Sequence, residues 1–462
     1  MAEAAQTFDV DVVVAGAGAA GTAAALAAAE GGLEVLLIEE RTTYRQGSNT
    51  AMSTSMIPAA GSRWQSAQGI DDSPQRFASD IRRKTAGAAD AVVTDALTRV
   101  APELVAWLAD SVGVPLELVT DFRYPGHSRD RCHAVPDRSG QTLHRHLLER
   151  VREEAGITFV APLALRDVEI PTGWDGIVAS VEAPDGTTEQ IRSRAVVLAT
   201  NGFAADEGLV SQYLPEIAVG RYHGGDGSLG DALRIGRRLG VDVGYLDSYQ
   251  GHGSLAEPHG ILLTWATVMH GALLLNTRGE RFGDETEGYS EFGARVVAQP
   301  GAISWMVFDE RIDAACRSFA DYLDLREAGA VHWAEDVKAL SERLEVDEEE
   351  VRRTLRQAYE AASALSDDPY GRRSFEAPLQ PPYAAVKVTG ALFHTQGGLH
   401  VDPAARVLRA GEPIGNLYAA GGAAVGLSGH GASGYLAGNG LLGALGLGYL
   451  AGRHMNHADV SA

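Results

Sequence analysis

The stretch Val12-Val-Val-Ala-Gly-Ala-Gly-Ala-Ala-Gly21 constrains this chain more than any other. An apolar run of strand length meets Gly16-x-Gly18-x-x-Gly21, an alanine-rich segment of helix length follows, and a second apolar run, Leu36-Leu-Ile, closes on Glu39 and Glu40. That order is the one a dinucleotide-binding βαβ unit requires. Gly16 permits the tight turn, Gly18 lets backbone N–H groups approach a pyrophosphate, and Gly21 lets the helix pack closely on the strand. Ala19 and Ala20 open the helix, whose N-terminus adds partial positive charge. Glu39 is placed to accept from an adenosine ribose hydroxyl, with Glu40 beside it. After the second strand, Gly47-Ser-Asn-Thr-Ala51 offers Ser48, Asn49, Thr50 and Ala51 as a small, hydroxyl-rich loop suited to phosphate or a ribityl chain.

The formal charge of −22 over 462 residues repels nucleic acid and anionic lipid, and no Lys/Arg run offers a local exception. Cys132 and Cys316 are too few for a disulfide framework or a cluster motif, so a reducing cytoplasmic setting and no metal are expected. The N-terminus MAEAAQTFD reads as too short and too acidic for a secretion signal. The stretch 417–452 lacks Asp, Glu, Lys and Arg, yet its twelve glycines interrupt every apolar run, which favours a buried glycine-rich element over a membrane span.

Residues 74–112 carry helical apolar spacing behind Ser73-Pro. Alternation near 157–198 predicts a strand-rich segment ending in Ala199-Thr-Asn-Gly-Phe203, a buried strand running into a glycine turn. Helices are predicted over 333–345 and from Asp347 through Leu365, with Glu349 and Arg353 as an i,i+4 pair.

The glycine unit, Ala199-Thr-Asn-Gly-Phe203, Gly397-Gly-Leu-His-Val-Asp402 and Leu417-Tyr-Ala-Ala-Gly421 occur here in one order. That combination resembles the FAD-dependent fumarate reductase and 3-ketosteroid Δ1-dehydrogenase superfamily across nearly the whole chain. The resemblance implies an α/β fold. A Rossmann-like FAD-binding domain would be built from both chain ends, 1–245 and 395–462, with an inserted α+β capping domain at 246–394 and the active site at their junction. It implies FAD contacts at Ala199, Thr200, Asn201, Gly202, Gly421, Asn439, Leu441 and Leu442. The family's usual acid after Leu-Tyr-Ala-Ala-Gly is replaced by Gly422. Gly438-Asn-Gly440 also precedes a final helix whose N–H groups can stabilise negative charge on reduced flavin.

Within that superfamily, His252, Thr264 and His430 match the substrate-clamping positions of the fumarate reductase branch, but its arginines do not recur. Tyr289 stands where the proton-delivering arginine is expected, and Gly434-Tyr435 replaces the carboxylate-binding arginine. A phenol cannot reproduce a bidentate guanidinium fork. Tyr289, Tyr435 and Tyr124 fall instead in contexts resembling the ketosteroid dehydrogenase branch. The reading is FAD-dependent α,β-desaturation of a cyclic ketone such as a 3-ketosteroid or an oxocyclohexane carboxylate, with an unidentified electron acceptor. Tyr435 and the Gly438 N–H would hold the ketone oxygen, and Tyr289, assisted by Tyr124, would take the α-proton. A phenol titrates near pH 10, so a basic role needs a depressed pKa or a relay through His252, His270 or His430. Arg123, Arg129 and Arg131 are candidates for a remote carboxylate. The alternatives are a flavin-dependent reductase of an activated alkene, or a flavin-binding protein without turnover.

Overall fold

A computed structural model describes residues 8–121 and 123–458. The reading of the N-terminus as lacking a signal falls on residues 1–7, outside the described residues. The chain divides into two compact units: Met1–Tyr213, Gly224–Tyr249 and His394–Ala462 form one, and Leu214–His223 with Gln250–Phe393 form the other.

In the first unit the Val10–Ala15 strand lies between two parallel neighbours. Val12 sits opposite Val35 on one side and Ala195 on the other. The parallel order runs from Glu412–Ala419 through Thr188–Leu198, Val10–Ala15 and Val35–Ile38 to Ile157–Val160. Such strands are buried on both faces, which is why they read as unbroken Val/Leu/Ile runs. The glycine spacing follows from contact: a Cβ on Gly16 would stand 2.3 Å from Ala199 O, and one on Gly21 only 1.7 Å from Gly16 O.

The charge-free C-terminal stretch ends in the helix Asn439–Ala458, which packs along the alanine helix Ala19–Glu30. A Cβ on Gly448 would come within 2.3 Å of Ala20 O, and one on Gly452 within 2.7 Å of Ala24 O. Glycines on one helix thus let the backbone of the other approach. Because the alanine helix is buried along nearly its whole length, it shows no amphipathic stripe. Among the described residues, no helix is long and apolar enough to cross a membrane.

The second unit is organised on the long strand Tyr383–Thr395. It pairs antiparallel with Ile303–Asp309 and His332–Ala334, and parallel with Arg221–Tyr222. Through this last pairing Leu214–His223 groups with Gln250–Phe393, where the sequence-based boundary lay at about 246. Helices Val337–Leu344 and Glu348–Ala362 bury Leu340, Leu344, Val351 and Leu355 against Leu273, Val307 and Tyr383. Asp347 caps the longer helix by accepting from the Glu349 and Glu350 N–H groups. The expected Glu349–Arg353 pair is replaced by Arg352 with Glu348 and Arg353 with Glu350. These pairs are exposed and carry little energy.

Candidate active site

At the dinucleotide end of the first unit, the turn after the first strand is held by side chains from three distant places. Glu39 Oε2 accepts the Ala17 N–H at 2.8 Å, and Oε1 accepts the Arg41 N–H at 2.8 Å. A carboxylate has lone pairs beyond those two, so Glu39 can still accept from a ribose. Burial pushes its carboxyl upward. Thr50 Oγ1 accepts the Ala19 N–H at 2.8 Å, and the Ser48 hydroxyl lies 3.3 Å from His144 Nδ1. Asn49 Oδ1 accepts the Gly225 N–H, while Ala51 is buried behind this loop. Glu40 pairs with Arg166 at 3.2 Å.

Asn201, at φ 66°, donates to Ser228 Oγ, and Gly202 leaves no room for a Cβ beside Thr395 Oγ1. Thr200 Oγ1 and Arg41 Nε are buried with no hydrogen-bond partner among the described residues. Orphaned polar atoms beside a glycine turn and a helix N-terminus fit a phosphate- and ribose-bearing ligand.

The other end of this unit gathers around Gly438-Asn-Gly440. The Gly440 N–H donates to the Tyr435 hydroxyl at 3.3 Å. Gly438, at φ 84°, has Pro58 Cδ 2.5 Å from where a Cβ would lie. Burial pushes the Tyr435 phenol upward, and does the same to Tyr124, which packs with Met56, Val119 and Cys132. Leu442 is fully buried, Leu441 nearly so, and Gly421 backs onto Ala20 and Ala444.

His394, absent from the sequence-derived set, faces Tyr435 with ring centroids 5.7 Å apart. Burial holds it neutral down to about pH 4. A polar chain fixes it: Gln396 Nε2 lies 3.0 Å from His394 Nδ1, Ser428 donates to Gln396 Oε1, and Asn439 Nδ2 donates to Ser428 Oγ. Asn439 Oδ1 has no partner among the described residues. The signal available in the sequence was adjacency, since His394 immediately precedes the Thr395-Gln-Gly-Gly motif.

His430 is not in this group. Its side chain is 61% exposed, with Nδ1 2.9 Å from Asp247 and its ring against Tyr245. The three candidate arginines are also committed elsewhere. Arg131 is buried between Asp72 and Asp80, Arg123 pairs with Asp130, and Arg129 donates to backbone carbonyls.

In the second unit His252 is stacked between Tyr289 and Phe393, at centroid distances of 4.9 and 5.2 Å and an interplanar angle of 19° in both cases. Trp265 meets it edge-on at 5.6 Å. Ser254 donates to Leu263 O at 2.7 Å, so its oxygen is the acceptor for His252 Nδ1 at 3.1 Å. That places the proton on Nδ1 and leaves Nε2 as the basic nitrogen. Burial, with His223 nearby, lowers the ring to about pH 3. The indole Nε1 of Trp265, a residue 3% exposed, has no partner among the described residues.

Thr264 accepts the Ala266 N–H, and His270 pairs with Glu376. The guanidiniums nearby in sequence are neutralised, Arg281 by Glu285 and Asp368, Arg372 by Glu285, and Arg295 by Glu287. Among the described residues no cluster of three or more His, Cys, Asp or Glu could hold a metal ion.

A glycine-turn βαβ unit with orphaned polar atoms along it, completed by the chain's C-terminal helix and interrupted by a second α/β unit, defines a dinucleotide-binding protein. The family model described as "FAD binding domain" matches residues 11–441, and the chain belongs to that family. As a member of it, the chain binds FAD.

An NADH:fumarate oxidoreductase from Klebsiella pneumoniae (strain 342) is 28% identical over 418 residues, covering 89% of this chain and 44% of the relative. The chain therefore spans less than half the length of that protein. Its fold is similar to the open conformation of a flavocytochrome c3 fumarate reductase, at TM-score 0.80 and 24% identity over 97% of this chain and 78% of that one. It is similar as well to 3-ketosteroid-delta4-(5alpha)-dehydrogenase from Rhodococcus jostii RHA1, at TM-score 0.75 and 24% identity over 98% and 99%.

Proposed function

We propose that the chain uses FAD to desaturate the α,β carbon–carbon bond of an uncharged cyclic ketone. The observation that carries this reading is that Tyr289 stacks on the buried His252 while Arg281, Arg295 and Arg372 of the same unit are each paired with carboxylates. His252 and His394 are held uncharged far below physiological pH, and the phenols replace guanidiniums. A dicarboxylate brings two negative charges that such groups cannot neutralise. With Arg123, Arg129 and Arg131 engaged elsewhere, a ketone without a carboxylate fits better than one bearing an acid.

The burial that raises Tyr435 makes it a donor rather than a base. It is assigned to the ketone oxygen together with the Gly438 N–H, where the two stabilise enolate-like charge. Tyr124 is raised in the same way, which makes it a donor and unsuited to assisting a base. Proton removal from Cα is assigned to Tyr289 acting as the phenolate, with the neutral ring of His252 stacked on it at 4.9 Å to fix its orientation. When bound, FAD supplies the acceptor for the β-hydride.

The test is anaerobic mixing of the oxidised holoenzyme with a panel of saturated cyclic ketones. Bleaching of the flavin absorbance supports desaturation. A second reading, reduction of an activated alkene, is favoured by the name of the Klebsiella relative. It prevails if oxidised enzyme is inert to every ketone while pre-reduced enzyme is reoxidised by alkenes.

A further inference from the structure

We propose that His144 and His127 are positioning residues that orient the two Ala–Gly peptides through which the FAD-binding unit presents N–H donors to its cofactor. His144 Nε2 lies 2.7 Å from Ala17 O, with the Ser48 hydroxyl 3.3 Å from its Nδ1. His127 Nε2 lies 3.1 Å from Ala437 O, with Arg131 Nη1 3.4 Å from its Nδ1. A carbonyl oxygen only accepts and a guanidinium N–H only donates, so each imidazole carries its proton on Nε2 and donates it to the carbonyl. Both rings are buried and favour the neutral form that this pattern requires.

Each pinned carbonyl immediately precedes a glycine at a helix start. Ala17 precedes Gly18, the N-cap of Ala19–Glu30, and Ala437 precedes Gly438, ahead of Asn439–Ala458. Neither peptide is cis, and in a trans peptide the C=O and the following N–H point in opposite directions. Fixing the carbonyl on the histidine therefore turns the Gly18 and Gly438 N–H groups away from it. Neither N–H has a hydrogen-bond partner among the described residues. Glycine makes rotation of such a peptide cheap, and Gly438 already sits at φ 84°. The histidines remove that freedom before the ligand arrives, so orientation is not lost from the binding energy. Each pin is itself anchored: His144 through Ser48, and His127 through Arg131, which Asp72 and Asp80 hold in turn.

The two pins serve different ends of FAD, which separates their effects. The Ala17–Gly18 peptide belongs to the pyrophosphate turn. The Ala437–Gly438 peptide belongs to the C-terminal helix start assigned to the flavin ring, and this arm rests on that assignment. The test uses His144→Phe, His144→Gln, His127→Phe and His127→Gln in the full chain. Gln places an amide N–H the same number of bonds from the backbone as imidazole Nε2.

FAD dissociation constants come from flavin fluorescence, midpoint potentials from dye equilibration, and folding from apoprotein melting. His144→Phe is expected to weaken FAD roughly tenfold, the size of one net hydrogen bond, with His144→Gln recovering most of it. His127→Phe is expected to bind FAD within a factor of about three of the parent, yet to shift the midpoint potential to more negative values, with His127→Gln shifting it back. A folded His144→Phe that binds FAD like the parent overturns the first pin. An unmoved potential in His127→Phe overturns the second, as does failure of either Gln variant to restore its readout in a folded apoprotein. Because no substrate enters these measurements, their failure is distinct from failure of the ketone reading.

Discussion

Replacing Arg131 by Met removes a fully buried guanidinium while keeping an unbranched apolar stem. Its Nε and Nη2 lie 2.8 and 3.1 Å from Asp72, its Nη1 lies 2.7 Å from Asp80, and its plane covers Phe77 at 4.7 Å. Met can replace the contact with Phe77 but neither charge. Asp80 keeps the Ser128 N–H, the Ser128 hydroxyl and Arg83, and Asp72 keeps Gln65, so neither is left bare. Breaking a buried pair costs about 3–5 kcal/mol, and these residual partners place the cost near the lower figure. At about 2 °C per kcal/mol for a large domain, the apoprotein should melt about 6 °C lower at pH 7.5.

The sign of the pH dependence is a sharper test. In the parent, Asp80 is held at about 2 against 3.8 unfolded, so it contributes about 2 kcal/mol that is fully present above pH 3.8 and lost as pH falls through 2. In the variant the Arg131 share of that depression is lost while the Ser128 hydrogen bonds remain, so Asp80 moves upward and protonates before it does in the parent. The gap between parent and variant should therefore narrow as pH falls below about 5 toward 3, as read by circular dichroism melting at matched ionic strength. A loss under 2 °C at pH 7.5, or a gap that widens on acidification, would refute the reasoning.

Tyr289→Phe is expected to lower turnover at least about 10²-fold with the flavin spectrum intact; near-normal turnover removes the phenol from proton transfer. Gly21→Ala places a Cβ 1.7 Å from Gly16 O, so the purified protein should carry little or no FAD, and stoichiometric flavin would contradict the contact. Burial lowers His252 to about 3 and His127, His133 and His394 to about 4, against 6.5 unfolded. The unfolded chain takes up these protons first, so stability is lost as pH falls from 6.5 toward 4, at up to about 5 kcal/mol per pH unit for four groups. A melting temperature that stays flat over that range would show that these rings are protonated in the fold.

What could be read from the sequence divides along a physical line. The glycine turn was legible because its requirement is local: Gly16 and Gly21 touch backbone atoms a few residues away or on the adjacent strand. The final helix was legible through its lack of charge, since a helix whose glycines meet another helix's backbone has no surface for lysines. Partnerships across the chain left no such mark. Arg131 looks like its exposed neighbours until the fold brings Asp72 and Asp80 onto it, and His430 looks like a ligand until it faces Asp247 in solvent. The strand Arg221–Tyr222 is too short for any periodicity, so its place in the inserted unit was invisible. The exchange of phenols for guanidiniums was visible, but their ionisation was not, because desolvation belongs to the packed site. Burial keeps the Tyr435 phenol protonated, as a donor must be, and the same physics keeps His252 uncharged beside Tyr289. Residue types alone name candidates for proton transfer; burial sets which of the proposed groups is held as a donor.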